Sequence, residues 1–251
     1  TEADRVRLAE REAEEADKAQ AAGAAERARR AAEVAAEDAE IAARARQVLE
    51  AEAASKRAQA AEAARKAEAF SRKTAGMVLA GTWVKFYIDR HEVTVAAFQA
   101  FDSSYRPGEF SVDSRMPATD VSSEQAVAYC RSLGKRLPTP EEWKIACRGE
   151  KSGEYSYGSR YDASKGRTGR AWYAGADTVG TGISNDLGVT NMVGNVWEWV
   201  DGWYDSAKTL RLLHGGGWAD GKETARCAGE TWARPGTRRI DAGFRCAADR
   251  E

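Results

Sequence analysis

The pattern of apolar and polar positions changes character once along the chain. Residues 1–70 interleave Ala with charged side chains, and large aliphatics occur only at Val6, Leu8, Val34, Ile41, Val48 and Leu49. Ala, Glu, Arg, Lys and Gln are strong helix formers, and only Gly23 interrupts them. A helix through all 70 residues would reach about 105 Å at 1.5 Å per residue. Val34, Ile41 and Val48 fall at heptad spacing, with Ala31, Ala35, Ala42 and Ala45 close to that seam. A full coiled coil needs a second apolar position in each heptad, and it is missing. Two readings of the helix follow, with disorder as a third. It is a solvated stalk held by i,i+4 Glu–Arg and Glu–Lys pairs, each worth a few tenths of a kcal/mol. Or it self-associates weakly or docks on a partner helix.

Beyond a junction at 71–75 the pattern shortens. Met77–Ala80 and Val84–Ile88 read as strands and Thr94–Ser103 as a helix. Two further helices carry capping boxes. Ser122 stands three residues before Gln125, and Thr139 stands three before Glu142 with Pro140 at the first helical position, which predicts helices over 123–133 and 140–148. After residue 150, short apolar runs alternate with Gly-, Asn- and Asp-rich turns. Strands, then helices, then strands indicate an α+β domain.

Composition sharpens the division. Residues 1–70 hold 28 Ala and 29 charged residues, one Gly and one aromatic, Phe70; all eight Trp, all five Pro and all four Cys lie beyond them. The chain therefore reads as a long charged helix, 1–73, and a loop-rich domain, 74–251. Net charge is -1, with 38 Lys+Arg against 39 Asp+Glu. That balance argues against a nucleic-acid partner, which would demand a basic surface. No apolar run approaches the ~18–20 residues that span a bilayer, so a membrane anchor would have to lie outside this sequence.

Five segments of the second domain resemble the formylglycine-generating-enzyme, or sulfatase-modifying-factor, family. They are Phe86–Thr94 (FYIDRHEVT), Ala126–Gly149 (AVAYCRSLGKRLPTPEEWKIACRG), Asn191–Trp199 (NMVGNVWEW), His214–Trp218 (HGGGW) and Gly243–Ala247 (GFRCA). They follow the family's order over about residues 80–247. The resemblance implies a C-type-lectin-like fold, with two helices, a small twisted sheet and long ordered loops. Fold alone carries no activity.

Cys130, Cys147, Cys227 and Cys246 allow three pairings, and spacing cannot choose among them. No CxxC pair suggests a zinc site. The resemblance implies Cys130–Cys246 and Cys147–Cys227, hence an oxidising, extracytoplasmic setting such as the periplasm or cell surface. Four buried thiols in a cytosolic protein are the alternative. The family's oxidases use two further cysteines between the Gly-Gly-aromatic motif and the late Arg-Cys, with copper on thiolates. Here Gly217–Cys227 holds no cysteine before Cys227, and neither Lys222 nor Glu223 is a soft ligand for Cu(I), so neither copper nor formylglycine generation is expected.

Other metal chemistry has little support. His91-Glu92-Val93-Thr94-Val95 begins like a zinc-protease motif but ends in Val95 where a second His is required. His91 and His214 read as structural. The resemblance places structural Ca²⁺ on the Asn191 and Glu198 side chains with the Gly194 and Val196 carbonyls, an all-oxygen set suited to a hard cation. A second cation site of the family would need an Asn where Ala171-Trp172-Tyr173-Ala174 stands. Gly215-Gly216-Gly217 matches no phosphate loop and reads as close backbone packing beneath Trp218.

Trp143, Trp197, Trp199 and Trp203 read as core. The family's active face corresponds to 218–242, where Trp218, Asp220, Lys222, Glu223, Glu230, Trp232, Arg234, Arg239 and Asp241 are the expected ligand-contacting positions; Trp and Arg favour such roles. Arg226, Arg238 and Arg245 read as scaffold, and Glu230 stands where many relatives have Arg. The leading expectation is a non-catalytic head that binds a protein or glycan and is positioned by the helix. One alternative is a variable receptor of the diversity-generating-retroelement kind, which resembles this fold and ends in a similar GFR motif. Another is an oxidase or modifying enzyme with divergent chemistry, which would show a buried acid of raised pKa in the 218–242 face.

Overall fold

A computed structural model describes residues 1–151 and 153–250. The chain divides into two units, residues 1–68 and 69–251. The first is one helix. Helix α1, Glu2–Lys73, is unbroken through Gly23, and none of its residues is buried. With no core to hold it, it relies on propensity and on local pairs such as Lys18–Glu14, Arg30–Glu26, Arg44–Glu40 and Lys66–Glu62, all i,i+4. Val34, Ile41 and Val48 lie in the open, each 58–59% exposed.

Among its described residues the second unit holds two sheets, three short α-helices and a one-turn helix, Trp172–Ala174. Strands β1 (Met77–Ala80) and β2 (Phe86–Asp89) pair antiparallel, and β7 (Ala247–Asp249) closes that sheet on β2. Strand β2 starts two residues later than expected. Gly81 turns with φ +86° so close to the Val84 carbonyl that a Cβ would stand 2.0 Å from its oxygen, which holds Val84 in the turn. Helices α2 (Val95–Phe101), α3 (Ser123–Ser132) and α4 (Pro140–Arg148) follow, and both capping boxes form as expected. Strands β3 (Trp197–Trp203), β4 (Arg211–His214), β5 (Glu230–Ala233) and β6 (Ala242–Phe244) make a second sheet ordered β5-β4-β3-β6. Its β3–β6 pair is parallel and the other pairs are antiparallel. This is the C-type-lectin-like α+β architecture.

The two disulfides join Cys130 to Cys246 and Cys147 to Cys227, the pairing the resemblance implied. Each ties a helix C-terminus to the late chain, across 116 and 80 residues. All four cysteines of the sequence are thereby used. Trp143, Trp197 and Trp199 are core, whereas Trp203 is half-buried under the Arg211 guanidinium, 4.1 Å from its ring.

The Gly215–Gly217 run does its packing elsewhere than beneath Trp218. A Cβ on Gly215 would stand 3.0 Å from Met192 O and from the Trp143 ring, and one on Gly216 would stand 2.7 Å from the Ala225 backbone. His214 is buried. Its Nδ1 lies 3.0 Å from Gly229 O and its ring stacks on Trp143 at 5.3 Å. That places the ring proton on Nδ1 and leaves Nε2 without a hydrogen-bond partner among the described residues. Burial pushes His214 below its usual pKa, and the role is structural. His91 is exposed, with Nδ1 2.7 Å from Thr190 Oγ1.

Candidate functional site

After β4 the chain leaves the sheet and returns as β5, then leaves again and returns as β6. The two excursions, with the one-turn helix Trp172–Ala174, bound an open cavity of about 360 Å³. Such a volume suits a small ligand or one projecting group of a larger one. Trp172, Gly217, Trp218, Ala219, Asp220, Arg238, Arg239, Ile240 and Asp241 line it.

Each wall is held by identifiable bonds. Trp218 is only 2% exposed, packed with Phe110, Ala176 and Val196. Its indole Nε1 donates to the Trp172 carbonyl at 2.7 Å, and its backbone N–H donates to Asn195 O at 2.9 Å. That indole bond fixes the Trp172 turn by its backbone and leaves the Trp172 ring 66% exposed. Asp220 Oδ2 accepts the Gly217 N–H at 2.7 Å, so the acid braces its own loop. Arg239 meets Asp241 as a fork, Nε to Oδ1 at 2.9 Å and Nη2 to Oδ2 at 2.8 Å, which holds the guanidinium above its usual pKa. Arg238 and Ile240 are exposed on the same wall. The cavity thus offers an aromatic face, an apolar side chain, two guanidinium groups and two carboxylates.

Of the nine expected contact residues, Trp218, Asp220, Arg239 and Asp241 meet here. Lys222 and Glu223 do not: they are exposed on the 219–229 loop, 3.7 Å from each other, with the Tyr155 hydroxyl on the Lys222 carbonyl. Glu230 and Trp232 lie on β5, and Arg234 is exposed just after it. Trp172, Arg238 and Ile240 join the site unforeseen. Arg238 is a cavity residue and not scaffold, because its side chain stays in solvent instead of entering the core. The exposed Trp172-Tyr173 pair beside small residues was the available signal for the first.

The implied cation site fares differently. Glu198 is fully buried, and both its oxygens are taken: Arg245 Nη2 donates to Oε1 and Nε to Oε2, each at 2.7 Å, and Trp143 Nε1 donates to Oε2 at 2.7 Å. Asn191 turns its amide nitrogen to Glu92 Oε2 at 3.3 Å. Arg245 thus already supplies a counter-charge to Glu198, the one carboxylate of the implied set, and the Asn191 amide nitrogen is engaged by Glu92. The Arg245 guanidinium pairs with Glu198. Among the described residues no group of three or more His, Cys, Asp or Glu side chains is placed to hold a metal.

Arg245, expected as scaffold, is the centre of this network. It also donates to the carbonyls of Asp89, Arg90 and Thr190 at 2.9–3.1 Å, and Glu92 approaches it at 3.9 Å. Burial pushes the Glu92 carboxyl up to about 7; Arg245 pulls it down and Glu198 pushes it further up. Asn195 Nδ2 donates to Glu92 Oε1 at 2.8 Å. This is a raised acid, but it lies in the core and not on the 218–242 face, where it would have indicated catalysis.

Comparison with known proteins agrees with the fold. A family model described as a sulfatase-modifying factor enzyme 1-like domain matches residues 79–250. A Bos taurus protein named inactive C-alpha-formylglycine-generating enzyme 2 is 34% identical over 150 residues, 53% of this chain and 50% of that protein. The Mus musculus formylglycine-generating enzyme is 32% identical over 168 residues, 54% of this chain and 45% of that one. The chain spans about half the length of these relatives, and it is as similar to an inactive one as to an active one. Among solved structures, Treponema denticola variable protein 1 superposes with a TM-score of 0.60 at 19% identity, covering 69% of this chain and 91% of that one. That likeness is one of fold.

Proposed function

Because the chain belongs to the sulfatase-modifying factor enzyme 1-like family, we propose that its head is a non-catalytic member, binding a protein or glycan ligand in the 217–241 cavity. The observation that carries the reading is the meeting of Trp218, Asp220, Arg239 and Asp241, with Trp172, Arg238 and Ile240, around one open cavity. Thiolate oxidation would need a free cysteine, and all four are cross-linked. The disulfides favour an extracytoplasmic setting, since they persist where thiols oxidise. Among the described residues no helix is long and apolar enough to cross a membrane. The helix over 1–70 positions the head, by weak self-association through Val34, Ile41 and Val48 or by docking on a partner helix.

The test is to incubate the intact chain with cysteine-containing peptides, copper and oxygen, and to follow peptide mass, while probing the same preparation on glycan and peptide arrays. Unchanged peptide with ligands retained on the arrays supports a binding head. Conversion of the peptide cysteine refutes it.

A second reading is the variable receptor. It is favoured by the fold shared with a protein named a variable protein over nearly all of that protein's length. It places diversity on solvent-facing positions of 219–242 that adenine mutagenesis can produce, such as Ala219, Arg234 and Arg238; Lys222, Glu223 and Trp232 fit it less easily. A near-copy of the 3′ coding segment beside the gene, differing at adenines, would establish it; its absence from the surrounding DNA removes it.

A further inference from the structure

Glu230 and Trp232 belong to the expected binding face, yet the cavity does not use them. They stand on β5, which is an edge of the four-stranded sheet. The register pairs Arg211 with Ala233, Leu212 with Trp232, Leu213 with Thr231 and His214 with Glu230. The Gly215 N–H donates to Gly229 O at 3.2 Å, one residue beyond that ladder. Antiparallel pairs alternate between bonded and non-bonded. Thr231 and Ala233 therefore turn their backbone groups toward β4, and Glu230 and Trp232 turn theirs to the open edge.

Natural edges are commonly blunted by Lys, Pro or a bulge. This one reads Glu-Thr-Trp-Ala and its register is regular. Its exposed side chains also point to a partner. The Trp232 ring, 48% exposed, lies 5.7 Å from the Tyr204 ring, 53% exposed, at an interplanar angle of 30°. Tyr204 follows Trp203, which pairs with Arg211 and through it with Ala233, so Tyr204 and Trp232 fall on the same sheet face. Glu230 is exposed and makes no ion pair among the described residues.

We propose that β5 is a strand-addition site for an extended polypeptide that places a cationic side chain opposite Glu230 and an apolar one opposite Trp232. The outward N–H and C=O groups of these two residues would supply main-chain bonds, and the Trp232–Tyr204 surface and the free carboxylate would select the side chains. In an antiparallel addition the partner runs against β5, so its sequence pattern is apolar–x–cation. This surface is separate from the cavity, and its occupancy does not depend on the cavity having a ligand.

The test is a titration of the intact ¹⁵N-labelled chain with an acetylated, amidated peptide TTVTKTT, followed by NMR. A TTVTETT peptide and a chito-oligosaccharide serve as comparison probes. Shifts confined to the Glu230 and Trp232 amides, the Trp232 indole and their neighbours are expected, with TTVTKTT preferred about threefold over TTVTETT. Glu230→Lys should invert that preference while leaving the rest of the spectrum in place, and Trp232→Ala should abolish the response. Four results overturn the proposal: no β5 shifts at millimolar peptide, equal response to both peptides, response to the sugar alone, or concentration-dependent β5 shifts without peptide. The last would mean that a second copy covers the edge.

Discussion

Replacing Arg245 by Met deletes the cation of a fully buried network while approximately preserving side-chain volume. Both carboxylates lose their counter-charge: Glu198 its two 2.7 Å bonds, and Glu92 the guanidinium 3.9 Å away. Three backbone carbonyls lose a donor as well. Breaking a buried ion pair from one side costs about 3–5 kcal/mol. Against a domain stability of about 5–15 kcal/mol this is a large fraction. The assay is urea unfolding of the oxidised chain, followed by Trp fluorescence, at pH 7 and pH 5. The pH comparison gives the sign. A buried carboxyl whose folded pKa is raised contributes stability below its unfolded value, and loses it as pH rises through the folded value. Glu92 already stands at about 7, and removing Arg245 takes away the charge that pulls it down. The Arg245→Met deficit should therefore shrink on going from pH 7 to pH 5. A deficit below about 1 kcal/mol, or one independent of pH, would refute the claim that Arg245 supplies the charge this core requires.

Other consequences are more quickly checked. Replacing Cys147 and Cys227 together by Ala reopens an 80-residue loop and should cost about 4.5 kcal/mol in the chain-entropy account, read as a lower urea midpoint with a steeper slope, since the unfolded chain becomes less compact. EGTA or added calcium should leave the thermal midpoint unmoved, because Glu198 is occupied by Arg245 and Trp143; a rise of several degrees with calcium would contradict that assignment. The His214 ring should stay neutral at its free value of 6.5, since burial lowers its pKa; its stabilising contribution is present above 6.5 and lost as pH falls below, which imidazole NMR resonances would follow directly. Glu at positions 34, 41 and 48 together should remove any self-association seen by sedimentation and leave the head's near-UV dichroism intact.

Local chemistry made some of this structure readable in advance. The capping boxes at Ser122 and Thr139 placed α3 and α4 within one residue, because a cap is a contact between residues three apart. The disulfide pairing came from motif order and not from spacing. The cavity was only half legible. Trp218, Asp220, Arg239 and Asp241 lie in the late motifs, whereas Trp172 arrives from a loop 46 residues before Trp218 through a single indole-to-carbonyl bond. No periodicity encodes such a bond. Oxygen donors at suitable spacing likewise do not reveal that Arg245, 47 residues past Glu198, folds onto the same carboxylate. Arg238 was misplaced because neighbouring arginines look alike until the backbone turns one of them outward.

The central claim is that ligand is held in the 217–241 cavity. It is tested most directly by comparing the intact chain with its Trp172→Ala and Arg239→Ala variants on the same glycan and peptide arrays. Trp172 holds Trp218 through its backbone carbonyl and Arg239 holds the Asp120 N–H through its own, so both of these bonds survive the substitutions. Ligands retained by the parent chain and lost by both variants are expected, with thermal midpoints little changed. Undiminished retention by the two variants would contradict that claim.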